Sequence, residues 1–135
     1  MTEHRRKLIE VALPVEAISV ACRRDKDRKV GTIKNVHKWF APMPTPAWRA
    51  LLFSALVDDP GDPNRRTELL QLIERLVPDD GGPPPADALA KAQRVLEAFG
   101  PLPIVIDPFC GGGSTAIEAQ RLGLPTIVSD LTVVC

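Results

Sequence analysis

The eight residues DPFCGGGS at 107–114 combine a carboxylate, an aromatic ring and three consecutive glycines. They lie between the apolar run PIVI at 103–106 and AIEAQRLG at 116–123, which is predicted to be helical. Glycines at such a junction let the backbone approach a ligand without the clash that a Cβ atom would cause. A second acid, Asp130, follows another apolar run, TIV at 126–128. The spacing therefore predicts a ligand-binding glycine loop, with one acid at the end of each of two strands.

The identity of the ligand depends on the charge at the mouth of this loop. Residues 111–116 fit the G-x-G-x-x-A pattern of dinucleotide-binding folds, so a nicotinamide- or flavin-dependent oxidoreductase is one alternative. In those folds a pyrophosphate lies on the helix N-terminus, where backbone N–H groups favour an anion. Asp107 would repel it, and Pro108 favours an extended backbone that keeps this carboxylate at the strand tip. A cationic ligand without phosphate, such as S-adenosylmethionine, fits better, with Asp130 accepting hydrogen bonds from its ribose.

The motif DPFCGGGST…SD resembles the first motif of S-adenosylmethionine-dependent DNA amino-methyltransferases, Asp-Pro-Phe-x-Gly-x-Gly-Ser/Thr. Three blocks together resemble the adenine-specific DNA methylases that begin with a domain of unknown function, some of them associated with anti-phage systems. These blocks are RRKLIEVALPVEAIS (5–19), HKWFAPMPTPAWRALLFSALVDDP (37–60) and DPFCGGGSTAIEAQRLGLPTIVSDL (107–131).

The resemblance implies a role for each residue of the loop. Asp107 would hold the methionine ammonium group, Phe109 would line the cofactor pocket, and Asp130 would hold the ribose. Gly111 and Gly113 would shape the loop. For the complete protein it implies methyl transfer from S-adenosylmethionine to the amino group of adenine in DNA, with DNA and other phage-defence subunits as partners.

The catalytic motif of the resembling family is missing from this chain. Those enzymes use Asp/Asn/Ser-Pro-Pro and an aromatic residue to bind the target amino group and stack on the flipped base. The Pro-Pro of GPPPA at 82–86 has no acid before it and no aromatic residue after it. The family also continues after Ser-Asp-Leu with Asn-Pro-Val, where this chain has TVVC at 132–135. We therefore predict no catalytic residue and expect a truncated N-terminal part that is inactive alone. A non-catalytic remnant or a DNA- or protein-binding module is the other alternative.

Cysteine and histidine usage gives no sign of a metal site. Cys22, Cys110 and Cys135 are an odd number without Cys-x-x-Cys spacing, which argues against a disulfide framework and fits a reducing cytosol. His4 and His37 have no partners at metal-ligand spacing. No apolar run approaches the roughly 18 residues of a membrane helix. We expect a cytoplasmic protein without a metal and without membrane contact.

Charge is distributed unevenly although the net charge is zero. Residues 1–49 carry eleven Lys/Arg and five Asp/Glu, whereas residues 50–135 carry six and twelve. Such asymmetry hints at contact between the N-terminal part and a polyanion. The charged segment CRRDKDRKVG at 22–31 is predicted to be a loop, and four of its residues are candidates for DNA phosphate contacts: Arg23, Arg24, Arg28 and Lys29. A merely solvated loop is the alternative, because Asp25 and Asp27 dilute the charge.

Helices are predicted for most of the chain before the loop. Residues 3–13 form a short helix, and Pro14 opens a second one with Val15, Ile18 and Cys22 on its apolar face. Thr45 caps a third helix and Pro46 opens it. Its predicted core-facing stripe is Trp48, Leu51, Leu52, Ala55 and Leu56. Two further helices cover 64–77, with Leu69, Leu72, Ile73 and Leu76 inward, and 87–99, with Leu89, Ala92, Leu96 and Phe99 inward. The linker 78–85 joins them.

The last third changes period. The runs 103–106 and 126–128 are predicted to be buried strands, with a helix between them that Thr115 and Glu118 cap and Gly123 ends. This predicts an α/β fold, in which a mostly helical N-terminal region precedes the first βαβ unit of an incomplete Rossmann-like class I methyltransferase sheet. The predicted division is a helical domain at 1–60, a helical connector at 61–100 and the start of a cofactor-binding domain at 101–135.

Overall fold

Residues 5–30 and 42–131 are described by this computed structural model, and within them the chain forms six helices and two short parallel strands. The helices are α1 (Leu8–Val11), α2 (Val15–Asp27), α3 (Thr45–Leu56), α4 (Pro63–Leu76), α5 (Ala86–Glu97) and α6 (Ser114–Arg121). The strands are β1 (Val105–Asp107) and β2 (Thr126–Val128), which precede and follow α6. The predicted order, a mostly helical region followed by one βαβ unit, is confirmed.

The first helix is shorter than the predicted helix over 3–13. It begins only at Leu8, because Lys7 pairs with Asp58 in an isolated antiparallel bridge. The amide of Leu8 donates to the carbonyl of Val57 at 2.8 Å, and Lys7 Nζ donates to Asp58 Oδ1 at 2.6 Å. Pairing with the end of α3 therefore replaces the first helical turns, and a local sequence pattern contains no information about such a distant partner.

The predicted loop over 22–31 is wrong for its first part, because α2 continues to Asp27. Arg and Lys are good helix formers, so a charged run can extend a helix whose other side is packed. The packing comes from the 78–85 turn. Gly81 has a φ of +71°, and a Cβ atom there would lie 2.3 Å from the amide nitrogen of Asp25. This close approach explains why glycine occupies the turn.

The buried face of α2 also differs from the predicted stripe. Ala21 and Asp25 are buried, whereas Val15 is 63% exposed and Cys22 is only partly buried. Ile18 does pack against the core. Helix α2 contacts α3, and Ala21 and Ile18 belong to the shared core.

Helix α3 is the centre of the helical region and contacts α1, α2, α4, α5 and α6. It begins at Thr45, one residue before the predicted opening at Pro46, and Pro44 is the N-cap residue. Leu52 and Leu56 of the predicted stripe pack against the core, but the fully buried residues are Pro46, Arg49, Ala50, Phe53 and Ser54. Ala55, a member of that stripe, is exposed. When neighbours surround a helix on several sides, its apolar pattern no longer selects one buried face.

Helices α4 and α5 follow the predicted pattern closely. Asp62 caps α4, since its Oδ1 accepts a hydrogen bond from the amide of Asn64 at 3.1 Å. The residues Leu72, Ile73, Leu76, Ala92 and Leu96 are buried, as predicted. Phe99 was predicted to face inward, but it lies beyond the end of α5 and is exposed. Gly100 follows it with a φ of +114° and stops the chain from continuing as a helix.

The strands β1 and β2 pair in parallel, with Val105 opposite Thr126, Ile106 opposite Ile127 and Asp107 opposite Val128. Helix α6 contacts both strands. Val105 packs against the core, whereas Ile106 and Ile127 are 67% and 58% exposed. The prediction of buried strands is therefore corrected, because the described residues cover only one face of this sheet.

The predicted capping box of α6 is wrong. Gly113 is the N-cap residue, and the helix start carries no side-chain capping bond. Thr115 and Glu118 are buried instead of reaching back to the helix start. Gly123 follows the helix with a φ of +78°, as predicted for a helix end. The buried apolar cluster runs from Leu8 to Leu124, so the helices and the βαβ unit share one core.

Candidate ligand-binding loop

The glycine loop is shaped by two residues with left-handed backbone conformation. Gly111 has a φ of +54° and Gly113 a φ of +80°, a region that side chains disfavour. Gly113 is also the residue from which α6 begins. The sequence correctly identified the two glycines that the turn requires, and their roles as shapers of a cofactor loop remain a prediction.

Asp107 and the residues after it form a tight turn at the end of β1. The Oδ1 atom of Asp107 accepts a hydrogen bond from the amide of Phe109 at 3.0 Å. The amide of Ser129 donates to the carbonyl of Asp107, and the amide of Cys110 donates to the carbonyl of Ser129, both at 3.0 Å. The loop is therefore fastened to the end of β2 on one side of the turn.

Asp130 lies next to the same loop. Its Oδ2 atom accepts a hydrogen bond from the amide of Gly111 at 2.8 Å. Because β1 and β2 are parallel neighbours, their carboxyl ends meet at one edge, and Asp107 and Asp130 both contact the loop there. Both acids therefore contact the glycine loop, and their role in binding a ligand remains a prediction.

Four backbone amides of the loop donate hydrogen bonds to other groups of the protein. The amides of Phe109, Cys110 and Gly111 donate to Asp107, Ser129 and Asp130, as described above. The amide of Gly113 donates to the carbonyl of Cys110 at 2.9 Å. These four amides are therefore already bonded within the protein, whereas each carboxylate can accept further hydrogen bonds.

The side chain of Phe109 is 73% exposed. It lies two residues after Asp107, and its ring has an apolar face available for a flat or apolar group. Cys110, in contrast, is buried, and its Sγ lies 3.9 Å from the carbonyl of Gly111. The loop thus presents an aromatic surface and buries its thiol.

A buried ion pair behind the loop was not predicted. The side chains of Arg49 on α3 and Glu118 on α6 are each 1% exposed. Arg49 Nε donates to Glu118 Oε2 at 2.7 Å, and Nη2 donates to Oε1 at 3.1 Å. The apolar pattern places Arg49 on the surface of α3, and Glu118 matches a capping box, so the only available signal was the charged residue itself within an apolar helix.

The four predicted DNA contacts lie at the C-terminal end of α2 and just beyond it. Arg23, Arg24 and Lys29 are exposed. Arg28 is half-buried, and its Nη1 lies 3.6 Å from Asp80 Oδ2 in the 78–85 turn. The exposed Lys26 and Asp27 alternate with them, so the surface is basic but mixed.

Burial raises the pKa of the Cys22 thiol, with a smaller opposing effect from a hydrogen bond with the Ala47 backbone.

His4, His37 and Cys135 lie outside the described residues. Within residues 5–30 and 42–131, no group of three or more His, Cys, Asp or Glu side chains could hold a metal ion. In the same parts of the chain, no helix is both long and apolar enough to cross a membrane.

Comparison with known proteins gives one match. The model of a family described as "Protein of unknown function (DUF1156)" matches residues 12–80, which is 69 of the 135 residues. That segment contains α2, α3 and α4 and ends before the glycine loop. No curated protein and no solved structure matched the chain.

Proposed function

Since the chain belongs to the DUF1156 family of proteins of unknown function, we propose its function from the glycine loop: it is the N-terminal part of a DNA methyltransferase that uses S-adenosylmethionine and acts on the amino group of adenine. A role in restriction or phage defence is part of this proposal. The support comes from the loop and from the resemblance of three sequence blocks to adenine-specific DNA methylases.

The observation that carries the proposal is the direction of the hydrogen bonds in the loop. Asp107 and Asp130 both accept from loop amides, so two carboxylates lie at the site. A dinucleotide would bring its pyrophosphate against these carboxylates, which would repel it. S-adenosylmethionine needs acceptors, since it has an ammonium group, a sulfonium and ribose hydroxyls but no phosphate. The arrangement therefore favours it over a nicotinamide or flavin cofactor.

In the proposed complex, the carboxylate of Asp107 accepts from the ammonium group and that of Asp130 accepts from the ribose. Phe109 offers its exposed ring to an apolar part of the ligand. When bound, S-adenosylmethionine supplies a methyl group that its sulfonium activates. The protein then has mainly to orient donor and acceptor in line, which is where most of the catalytic gain arises.

DNA is the proposed partner, and the basic end of α2 is the proposed contact in the described part of the chain. Arg23, Arg24 and Lys29 are exposed there, and Arg28 lies between them and the 78–85 turn. Such residues would bind phosphates without reading sequence. The methylated sequence would have to be selected elsewhere in the complete protein.

Calorimetric titration of the chain with S-adenosylmethionine, and separately with NAD, tests the proposal. Asp107→Asn keeps an oxygen to accept from the Phe109 amide but removes the charge. It should weaken S-adenosylmethionine binding by about 1.5–3 kcal/mol, the value of a hydrogen bond to a charged group. Asp27→Asn removes an exposed carboxylate on α2 and serves as the matched control, with no change expected. Binding of NAD in preference to S-adenosylmethionine, or equal binding by Asp107→Asn, would contradict the proposal.

A further inference from the structure

The side chain of Arg49 contacts three separate segments of the chain. Its guanidinium group grips the carboxylate of Glu118 on α6 with two hydrogen bonds. Nη1 also donates to the carbonyl of Leu76 at the end of α4, at 2.5 Å. The carbonyl of Gly82 in the 78–85 turn lies 3.4 Å from the same nitrogen. One side chain of α3 thus links α4, the turn and α6.

The stability of the fold does not by itself explain this arrangement. Taking two charges out of water costs so much that apolar side chains of similar size often give an equally stable protein. A bidentate Arg–carboxylate contact does fix the relative orientation of the two side chains, because the planar guanidinium donors fit only one orientation of the carboxylate. The pair therefore fixes how α6 is rotated against α3, which apolar contacts specify only loosely.

The position of Glu118 connects this rotation to the glycine loop. Helix α6 begins at Ser114, directly after Gly113, so Glu118 lies just over one turn from the loop. Thr115, three residues before Glu118, is buried as well. The other end of the loop is fastened to β2 through the Cys110 amide and Asp130. Contacts within the fold therefore hold both ends of the loop. At the end where α6 begins, the contact is the hydrogen bond between Arg49 and Glu118.

We propose that Arg49 is a positioning residue for the glycine loop, acting through Glu118 to fix α6 and thereby the placement of the ligand-binding groups around Gly111. The identity of the ligand rests on the proposed function, but the effect on the loop does not. Arg49 belongs to the DUF1156 segment and Glu118 lies outside it. The DUF1156 segment therefore stabilises the loop through the contact of α3 with α6.

The test is the double replacement Arg49→Met/Glu118→Leu, which substitutes apolar side chains for both charges. Arg66→Met/Asp59→Leu is the matched control, because Arg66 also grips a carboxylate with two hydrogen bonds, at 2.6 and 2.8 Å, but away from α6. Three quantities are measured: the urea unfolding midpoint, the affinity for S-adenosylmethionine, and the alkylation rate of Cys110 in the folded protein. Mass spectrometry separates Cys110, in the loop, from Cys22, on α2, and the Cys110 rate in the control pair serves as the reference.

The double variant should unfold near the midpoint of the unaltered chain. Cys110 should be alkylated about tenfold faster or more than in the unaltered chain, since the loop opens more easily. Affinity for S-adenosylmethionine should fall between about 5-fold and 150-fold, the range of typical coupling between sites. The control pair should change neither the Cys110 rate nor the affinity.

A folded double variant with the original Cys110 rate and the original affinity would overturn the proposal. If the unaltered chain does not bind S-adenosylmethionine, the proposed function fails, but the Cys110 rate still decides the role of Arg49. If the double variant does not fold, Glu118→Asp takes its place, because it keeps both charges and shortens the link by one methylene. An unchanged Cys110 rate in folded Glu118→Asp would then overturn the proposal.

Discussion

Replacement of Arg49 alone should destabilise the fold strongly. Arg49→Met leaves the Glu118 carboxylate buried, with Arg121 Nη1 3.8 Å away as its remaining cation among the described residues. Removing one partner of a buried pair typically costs about 3–5 kcal/mol, which is a large part of the stability of a small domain. Urea unfolding should therefore show a large loss for Arg49→Met and recovery of most of it in Arg49→Met/Glu118→Leu. A loss that is equal in the single and double variants would contradict this explanation.

The ionisation of Asp59 should make the free energy of unfolding depend on pH in the acid range. The hydrogen bond from Arg66 holds the pKa of the Asp59 carboxyl below its usual value. A lowered folded-state pKa stabilises the fold above the unfolded pKa, about 3.9, and this contribution is lost as the pH falls through the folded value. Asp59→Asn should therefore unfold more easily at pH 7 and show a flatter loss of stability below about pH 4. Unfolding curves between pH 2 and 7, roughly spanning this window, provide the measurement.

At the scale of elements, the two strands should be less protected than the central helix. Helix α3 is packed on several sides, whereas β1 and β2 have only one face covered. Hydrogen exchange should therefore be much faster for the amides of β1 and β2 than for those of 46–57, and the amides of α6 should be intermediate because Glu118 anchors this helix to α3. Equal protection of the strands and α3 in a monomer would show that the single covered face is sufficient.

The basic end of α2 predicts the character of any DNA binding. Phosphate contacts release counterions, so affinity should be weak and should fall steeply with salt. The double variant Arg23→Gln/Arg24→Gln should reduce the slope of log affinity against log salt by about 1 for each contact that is lost. Fluorescence anisotropy with duplex DNA at several salt concentrations measures this slope. An unchanged slope would assign the contact to residues outside the end of α2.

The elements also show where sequence patterns suffice. Helices α4 and α5 each bury one apolar face. The spacing of Leu72, Ile73 and Leu76 identified that face of α4, and the spacing of Ala92 and Leu96 identified that of α5. The order of strand, loop, helix, strand and acid was equally local and was predicted correctly. Helix α3 was not, because its five neighbours bury different sides of it, including Arg49. The Arg49–Glu118 pair joins residues 69 positions apart, and no local pattern can match such partners.

For the whole molecule, the uncovered sheet face predicts self-association. Ile104, Ile106 and Ile127 remain exposed, although burial of such a side chain contributes about 1.5–3 kcal/mol. Parallel sheets are ordinarily covered on both faces, and open strand edges invite pairing. Light scattering should therefore show concentration-dependent oligomers of the chain, and Ile106→Thr/Ile127→Thr should shift them towards monomer. Oligomers that persist unchanged in this variant would place the contact on another surface.

The absence of an Asp/Asn/Ser-Pro-Pro-aromatic motif predicts that this chain does not methylate DNA by itself. Transfer of a radioactive methyl group from S-adenosylmethionine to adenine-containing duplex DNA should remain at background. Binding of the cofactor without transfer is the expected combination. Measurable transfer by the monomeric chain would show that another group binds the target base.

The Arg49–Glu118 pair limits how evolution or an engineer can divide this protein. The segment that the family model matches ends at residue 80, and Glu118 lies 38 residues later. If the segment were grafted in front of an unrelated enzyme, the guanidinium of Arg49 would lose its carboxylate partner. Such a graft should therefore be stable only where the recipient supplies a carboxylate at the same place or where Arg49 is replaced as well.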